Sequence, residues 1–322
     1  MPRPTSATTI QRPDLGSLAY EYMLDSSRRG FVGMNVLPIF SVPEQSADYP
    51  IIPIESLLKV PDTRRASRGA YPRGDWEFET GTYSCEEHGF EEPIDDVEAN
   101  LYSRFFDAEM VATEIATDNL LRSHEKRVAA IAQDTSVAVG SANVSTEWST
   151  AATATPRDDV KDAKESMRQA SGLTPNAGVC SLPVFNNIMN TAEIKDALKY
   201  TNPIEIGGME AQQRILAQYF GLDRILIGGG MEDTAKKGQA FSLSDIWDDE
   251  YFSLCRLSDG GNRLREPVLG RTFLWSEDSP SEVVTETYRE EQTRSSIIRV
   301  RHHLDEAVIF SGALYIMGNI TA

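Results

Sequence analysis

A stretch of 39 positions in the first half of the chain has the spacing of a long helix. Residues 95 to 133 contain neither glycine nor proline. Apolar side chains recur three or four positions apart, at Val97, Leu101, Phe105, Ala108, Ala112 and Ile115. Asp95 is suited to cap the helix start, with Glu98 three residues later. The pattern predicts one uninterrupted helix of nearly ~60 Å, longer than an ordinary core requires, which indicates a strut in an elongated molecule.

Beyond residue 156, short helical and extended patterns alternate. Helices are predicted over 157–172, 184–190, 193–200 and 209–220, and strands over 177–181 and 224–227. The pieces YFSLCRL, RTFLW, SSIIRVRHHL and AVIFSGALYIMG add strands toward the end. The segment 134–156 gives a weak pattern of strand and loop. This order predicts an α+β fold around a mixed or antiparallel sheet.

The region before the long helix is rich in proline. Residues 1–30 form a Pro- and Thr-rich arm that turns amphipathic at Leu15 to Leu24. Residues 31–93 combine seven prolines with β-favouring pieces such as FVGMNVLPIF and DWEFETGTYSC. Proline cannot donate to a sheet ladder, so we expect an irregular, largely two-stranded excursion instead of a packed sheet.

Charge divides this excursion into two parts. The basic residues come first and are Lys59, Arg64, Arg65, Arg68 and Arg73. An acidic run from Asp75 to Glu98 follows and includes Glu86, Glu87, Glu91 and Glu92. One interpretation is two solvated faces of opposite sign. The other is contact between copies, in which the basic tip of one subunit lies on the acidic base of its neighbour.

Composition excludes several classes of protein. With 31 basic and 49 acidic residues the formal net charge is -18, which disfavours a dedicated nucleic-acid reader because such a protein neutralises phosphates. Three widely spaced cysteines give no disulfide framework or zinc motif and fit a reducing compartment. The N-terminus lacks the apolar core of a signal peptide, and the most apolar segment, 307–320, is predicted to be buried strand and not a membrane span.

Candidate chemistry is weak throughout the chain. Gly228, Gly229 and Gly230 follow a strand but fit no phosphate-binding motif, so a flexible loop is the preferred interpretation. Adjacent acidic pairs favour solvated faces, and His302 and His303 favour structural or surface positions, one facing in and one out. Lys59, the sole lysine of residues 31–93, is a candidate for isopeptide chemistry but more simply a salt-bridge donor. We therefore predict no catalytic, cofactor or metal site, and no enzymatic activity.

The order of arm, Pro-rich excursion, long helix and α+β part resembles the major capsid proteins of tailed bacteriophages, which have the Hong Kong 97-like fold. Two stretches within 158–255 contain motifs similar to those of the family. One is the GLTPN turn with its flanking helices, and the other has the later TA-K-GQ and SL-DIW motifs, which include Thr234, Lys236, Gln239, Asp245 and Trp247. The resemblance implies an arm (1–30), an E-loop (31–93), a peripheral domain with a spine helix (94–156, completed by about 295–322) and a mainly axial domain with mixed α/β structure (157–294).

The resemblance also implies a function without catalysis. Copies would form hexamers and pentamers in an icosahedral shell in the virion, assembled in the host cytoplasm, with double-stranded DNA as contents and not as a specific ligand. The short arm with Met1 leads us to expect a separate scaffold protein; a portal is expected, a decoration protein remains open, and no membrane is involved. Two alternatives stay open, namely an encapsulin nanocompartment shell and an unrecognised soluble α+β enzyme.

Overall fold

The computed structural model describes most of the chain. The described residues are 10–11, 30–60, 62–65, 67, 69–71, 73–74, 78–102, 107–201, 208–258, 264 and 266–321. Most of the predicted arm, including the helical pattern at Leu15 to Leu24, and the side chain of Arg68 therefore lie outside the described residues.

Helices and strands alternate along the described part of the chain. The helices are α1 (Gly33–Val36), α2 (Ile54–Leu58), α3 (Asp96–Tyr102), α4 (Ala108–Ala132), α5 (Pro156–Ser171), α6 (Leu182–Asn190), α7 (Ala192–Thr201) and α8 (Met209–Phe220). The strands are β1 (Ile10–Gln11), β2 (Ile39–Val42), β3 (Ser46–Ile51), β4 (Glu79–Ser84), β5 (Glu86–Asp95), β6 (Gly140–Asn143), β7 (Ala177–Ser181), β8 (Arg224–Gly228), β9 (Met231–Asp233), β10 (Leu243–Asp245), β11 (Phe252–Cys255), β12 (Gly270–Trp275), β13 (Val284–Glu290), β14 (Ser295–Val308) and β15 (Leu314–Gly318).

Two larger sheets organise the molecule. One sheet has six strands in the order β1-β13-β14-β12-β2, with β5 paired along β14. The other has five strands in the order β6-β15-β11-β7-β8. Both sheets are mixed, because β2 runs parallel to β12 while β14 is antiparallel to its neighbours, and β7 and β8 are parallel in the second sheet. Strands β12, β13 and β14 belong to the first sheet, whereas β15, which follows them in the chain, pairs with β6 and β11 of the second. The two sheets are therefore not built from separate halves of the chain.

The prediction of one uninterrupted helix over 95–133 is wrong, because the structure has two helices there. The structure has α3 first, and α4 begins only at Ala108. Asp107 between them has extended backbone, and its side chain accepts a hydrogen bond from the Glu109 backbone N–H at 3.0 Å, which is an N-cap. The helical spacing of apolar residues continues across Asp107, but capping by its side chain starts a second helix there. At ~1.5 Å per residue α4 spans about 37 Å.

Helix α4 packs on the six-stranded sheet along one face. Ala112, Ala116 and Leu120 of the helix form a buried cluster with Ile298 and Val300 of β14. Small alanines let the helix approach the sheet closely, so this cluster fixes the helix against the strands.

The five-stranded sheet has its own core under helices α5 to α8. The predicted helices and strands between 157 and 227 are confirmed within two residues at each boundary. Gly172 and Gly221 end α5 and α8 in the left-handed conformation, with φ of 71° and 63°. Trp148, Phe185 and Phe252 are fully buried in this core. The apolar segment 307–320 contains the end of β14, a short 3-10 turn and β15, so only part of it is strand.

The Pro-rich region forms a ribbon with both ends in a packed sheet. Strands β3 and β4 pair only with each other among the described strands, as the composition predicts. The expectation that no packed sheet forms within 31–93 is wrong for β2 and most of β5, which join the six-stranded sheet. Burial of Val42 in β2 and of Ile94 in β5 holds these two strands in the sheet at the ends of the ribbon. No helix of the described residues is both long and apolar enough to cross a membrane.

Candidate assembly surfaces

The tip of the ribbon combines exposed cations with exposed apolar side chains. Lys59, Arg64, Arg65 and Arg73 lie between β3 and β4 and are exposed. Large apolar side chains of the same segment are also exposed: Ile52, Leu57, Leu58, Val60, Tyr71 and Phe78. Val60 reaches 95% exposure. Several exposed apolar groups in one projection are typical of a surface that another molecule covers.

Part of the tip is held by local contacts. The Arg65 Nε donates a hydrogen bond to the Gly69 carbonyl at 2.7 Å, and its guanidinium carbon lies 4.7 Å from the centre of the Tyr71 ring. The Arg64 backbone N–H donates to the Asp62 carboxylate at 2.9 Å. These contacts shape a turn that presents positive charge at its surface.

Four acidic residues of the excursion lie on β5, at the root of the ribbon. Glu86, Glu87 and Glu91 are exposed and Glu92 is half-buried. The structure does not bring them together with Lys59, Arg64, Arg65 or Arg73 in an ion pair within the described part of the chain. Tip and root are thus separate surfaces of opposite charge in one subunit.

Arginines of β14 neutralise part of the acidic strand within the subunit. An Arg299 guanidinium nitrogen lies 2.7 Å from Glu91 Oε1, and Arg301 contacts Glu286 at 2.9 Å and also binds Asp278. These two arginines were missed from sequence, although their alternation in SSIIRVRHHL indicates one strand face. A groove of about 410 Å³ lies beside them, lined by Glu87, Gly89, Phe90, Glu91, Arg299 and Arg301.

A buried carboxylate joins three parts of the chain at the base of the excursion. Glu125 of α4 is 1% exposed and accepts hydrogen bonds from the Val32 and Gly33 backbone N–H groups at 2.9 and 2.6 Å. It also accepts from the Trp247 indole N–H at 2.6 Å. Burial raises the pKa of Glu125, and the three donors oppose that rise because they favour the charged form. Glu125 therefore ties the start of the excursion to α4 and to the segment before β11.

The glycine run 228–230 is a packed junction, so the flexible-loop interpretation is wrong. A Cβ on Gly228 would lie 2.1 Å from the Trp247 ring, and one on Gly230 would lie 2.9 Å from the Phe31 ring. The Gly229 backbone N–H donates to the Gly30 carbonyl at 2.9 Å. These glycines are present because bulky or backbone groups approach them closely, not because they hold a phosphate.

The remaining sequence candidates have structural surroundings. The two histidines point to opposite faces of the sheet, as predicted, but the expectation that one of them faces outward is wrong. His302 is fully buried on one face, and His303, 8% exposed, packs against Trp275 on the other. All three cysteines are buried, and burial raises the pKa of Cys85 to about 11 and that of Cys255 to about 12. Such thiols stay protonated near neutral pH and are poor nucleophiles. Within the described residues, no cluster of three or more His, Cys, Asp or Glu side chains has metal-binding geometry.

Comparison with solved structures defines the class of fold. A phage-related protein from Bordetella bronchiseptica RB50 superposes with a TM-score of 0.70 at 19% identity, over 97% of this chain and 98% of that chain. A structure from Microbacterium phage Oxtober96 superposes with a TM-score of 0.58 at 10% identity, over 90% and 91% of the two chains. The chain thus has the α+β architecture of the Hong Kong 97-like capsid fold.

Sequence comparison connects the chain to one particular kind of protein with this fold. It is 26% identical over 247 residues to the major capsid protein of Burkholderia phage BcepMu, and the match covers 75% of each chain. No protein-family model matches the sequence. The resemblance to the major capsid proteins of tailed bacteriophages, which the order of the parts along the chain and the two motifs indicated, is confirmed.

Proposed function

We propose that this chain is the major capsid protein of a tailed bacteriophage, a structural subunit whose copies assemble into the icosahedral shell of the virion. The observation that carries the proposal is the capsid fold over nearly the whole chain, together with sequence similarity to a phage major capsid protein over three quarters of it. The ribbon with its exposed apolar tip has little to cover it in a single subunit, as expected for a part that contacts neighbouring copies.

Electron microscopy of the recombinant protein tests this function. We expect large closed particles, formed alone or with a co-expressed scaffold protein. If only monomers or dimers form under both conditions, the shell function is wrong. The contents of native particles then separate a virus, which holds double-stranded DNA, from an encapsulin, which holds a cargo protein. A net charge of -18 suits DNA as packed contents, because a wall that bound phosphate tightly would hinder packing and release.

We further propose that the ribbon tip of one subunit docks on the acidic strand β5 of its neighbour. The tip offers Arg64, Arg65 and Arg73, all exposed, and Glu86 and Glu87 are exposed on β5. Glu91 already pairs with Arg299 of its own chain, so we assign Glu86 and Glu87 the larger part of the contact. Charge complementarity of this kind sets orientation and register more than affinity.

A charge swap tests the docking. The double variant Arg64→Glu with Arg65→Glu should fail to form closed particles while its circular dichroism matches the wild type. Adding Glu86→Lys and Glu87→Lys should restore particles, since the charges are then reversed on both surfaces. A matched control is Lys236→Glu with Lys237→Glu, an exposed basic pair on the connection between β9 and β10. Normal particles from the arginine variant, or equal damage from the lysine control, would contradict the docking.

The division of the chain and its other partners are part of the same proposal. We assign 1–30 to an arm, 31–93 to an E-loop, 94–156 with about 295–322 to a peripheral domain and 157–294 mainly to an axial domain. Subunits would form hexamers and pentamers, with a separate scaffold protein and a portal as assembly partners and room for a decoration protein. Cryo-electron microscopy of native particles would test each of these assignments.

A further inference from the structure

Three of the chain's four histidines meet at one contact, although they are far apart in sequence. His88 lies on β5, His124 on α4, and His302 and His303 on β14. The His88 and His302 ring centres are 5.9 Å apart, and those of His124 and His302 are 6.4 Å apart. Three imidazoles therefore occupy the contact between α4 and the six-stranded sheet, whereas His303 faces the other side of the sheet.

The two inner histidines lack the acceptors that would stabilise a charged imidazole. His302 is fully buried, and neither of its ring nitrogens makes a well-formed hydrogen bond among the described residues, although the Glu282 backbone lies close enough to favour protonation. His124 is 2% exposed, and its Nε2 lies 3.6 Å from the Glu306 carboxylate. That carboxylate already accepts from Arg127 at 2.8 Å, so it compensates a second positive charge only in part.

Other charged groups around the cluster have opposing effects. Arg127 of α4 and the neighbouring imidazoles disfavour protonation of His124 and His302, whereas Glu306 of β14 favours protonation of His124. Glu86 of β5 favours protonation of His88, and the Glu282 backbone, just before β13, favours protonation of His302. Gly33 of α1 lies beside the His124 ring and carries no charge. Glu125 is turned toward α1 and Trp247.

We propose that His124 and His302 form an acid switch, in which protonation releases α4 from the six-stranded sheet while the five-stranded sheet stays folded. The contact works as a switch because two buried cations cannot be accommodated there without water. The second sheet offers an internal comparison, since β7 and β11 carry no histidine. The inference concerns the single subunit and holds whether or not the chain builds a shell.

The direction of the pH effect follows from burial. Burial lowers the pKa of His124 to about 4 and that of His302 well below its ordinary value. An imidazole exposed by release of α4 binds its proton near pH 6.5, so the closed contact has its full stability above that pH and weakens as pH falls toward 4. From His124 alone, the ratio of open to closed subunits rises about 20-fold between pH 7 and pH 5. Glu125 acts in the opposite sense, because its raised pKa favours the closed form in acid.

Hydrogen exchange on the unassembled subunit tests the switch. With intrinsic exchange rates corrected for pH, we expect amides of α4 to lose at least tenfold in protection between pH 7 and pH 5, while amides of β7 and β11 change little. The double variant His124→Phe with His302→Phe should keep its protection at pH 5, because the rings remain but the titration is lost. The matched control His303→Gln, on the same strand but the opposite face, should behave as the wild type.

Two outcomes would overturn the proposal. One is equal loss of protection in α4 and in β7 and β11 of the wild type, which would indicate global acid unfolding. The other is unchanged acid release in the double phenylalanine variant. If that variant fails to fold, NMR titration of labelled imidazoles in the wild type decides the question: His124 and His302 must stay neutral until α4 loses protection, and independent titration near pH 6.5 rejects the switch.

Discussion

At the residue scale, the most informative positions are glycines whose space is taken by other residues. Gly228, the last residue of β8, lies under the Trp247 ring, and Gly230 contacts Phe31. The Trp247 indole also donates to Glu125, so the ring is fixed on two sides. A phosphate-binding loop and a tight packing junction can have the same glycine-rich sequence. Only the residues that pack against the glycines in the folded structure distinguish them.

Substitution of Gly228 should therefore be costly. Gly228→Ala places a methyl group 2.1 Å from the Trp247 ring, and overpacking of this kind costs about 1–3 kcal/mol of the free energy of unfolding. Urea unfolding followed by tryptophan fluorescence measures it. Gly74→Ala is the matched control, because nothing lies within 4 Å of a Cβ there. Equal stability of the two variants would show that the junction relaxes freely.

Glu125 leads to a second prediction at this scale. Glu125→Ala leaves three buried donors without an acceptor, and each such group costs roughly 1–3 kcal/mol, so we expect a loss of about 3 kcal/mol or more. The loss for Glu125→Gln should lie between zero and that of Glu125→Ala, because the glutamine amide presents only one acceptor atom. Glu114→Ala, on the same helix and half-exposed, is the control for loss of a glutamate. A loss below about 0.5 kcal/mol in the alanine variant would contradict an anchoring role.

At the scale of elements, α4 shows how local capping competes with periodicity. Asp107 begins the helix by accepting from the Glu109 N–H, in a stretch whose apolar spacing alone predicts continuity. The helix then contacts the six-stranded sheet through small residues near its start and through His124 further along. One helix thus carries the buried cluster, the Glu125 anchor and the acid-sensitive contact.

The cap has a measurable energetic consequence. Asp107→Ala should lower the free energy of unfolding by about 1 kcal/mol, because an N-terminal backbone donor loses its acceptor. Asp107→Asn and Asp107→Ser keep an acceptor oxygen and should lose much less. Thermal and urea unfolding of the three variants compare them directly. Equal losses in all three would indicate that charge or packing matters at this position and the cap does not.

At the scale of the whole molecule, the subunit presents opposite charges on two separate surfaces. Within the described residues of one chain, the basic ribbon tip and the acidic strand at its root form no ion pair with each other, and β14 supplies the partner that Glu91 has in the single subunit. Repetition of the subunit is the simplest way to bring tip and root together, and the charge swap described above tests that contact in assembled particles.

The sequence by itself determined the α+β class and the helices and strands between 157 and 227. Helix stops at Gly172 and Gly221, strand alternation and the proline-rich ribbon are local signals, and the order of these parts led to the capsid resemblance. Such signals depend on near neighbours in the chain, so they can be read without coordinates.

Only the tertiary structure decided which distant residues meet. His88, His124 and His302 span more than 200 positions of the chain, and Glu125 is 122 residues from Trp247, yet each set meets in one place. The same holds for Arg299 on Glu91 and for Trp247 over Gly228. The histidine and Arg299 contacts come from the pairing of β5 with β14 and the packing of α4 on both. No local pattern encodes that register, because long-range pairing is set by the burial of the whole sheet.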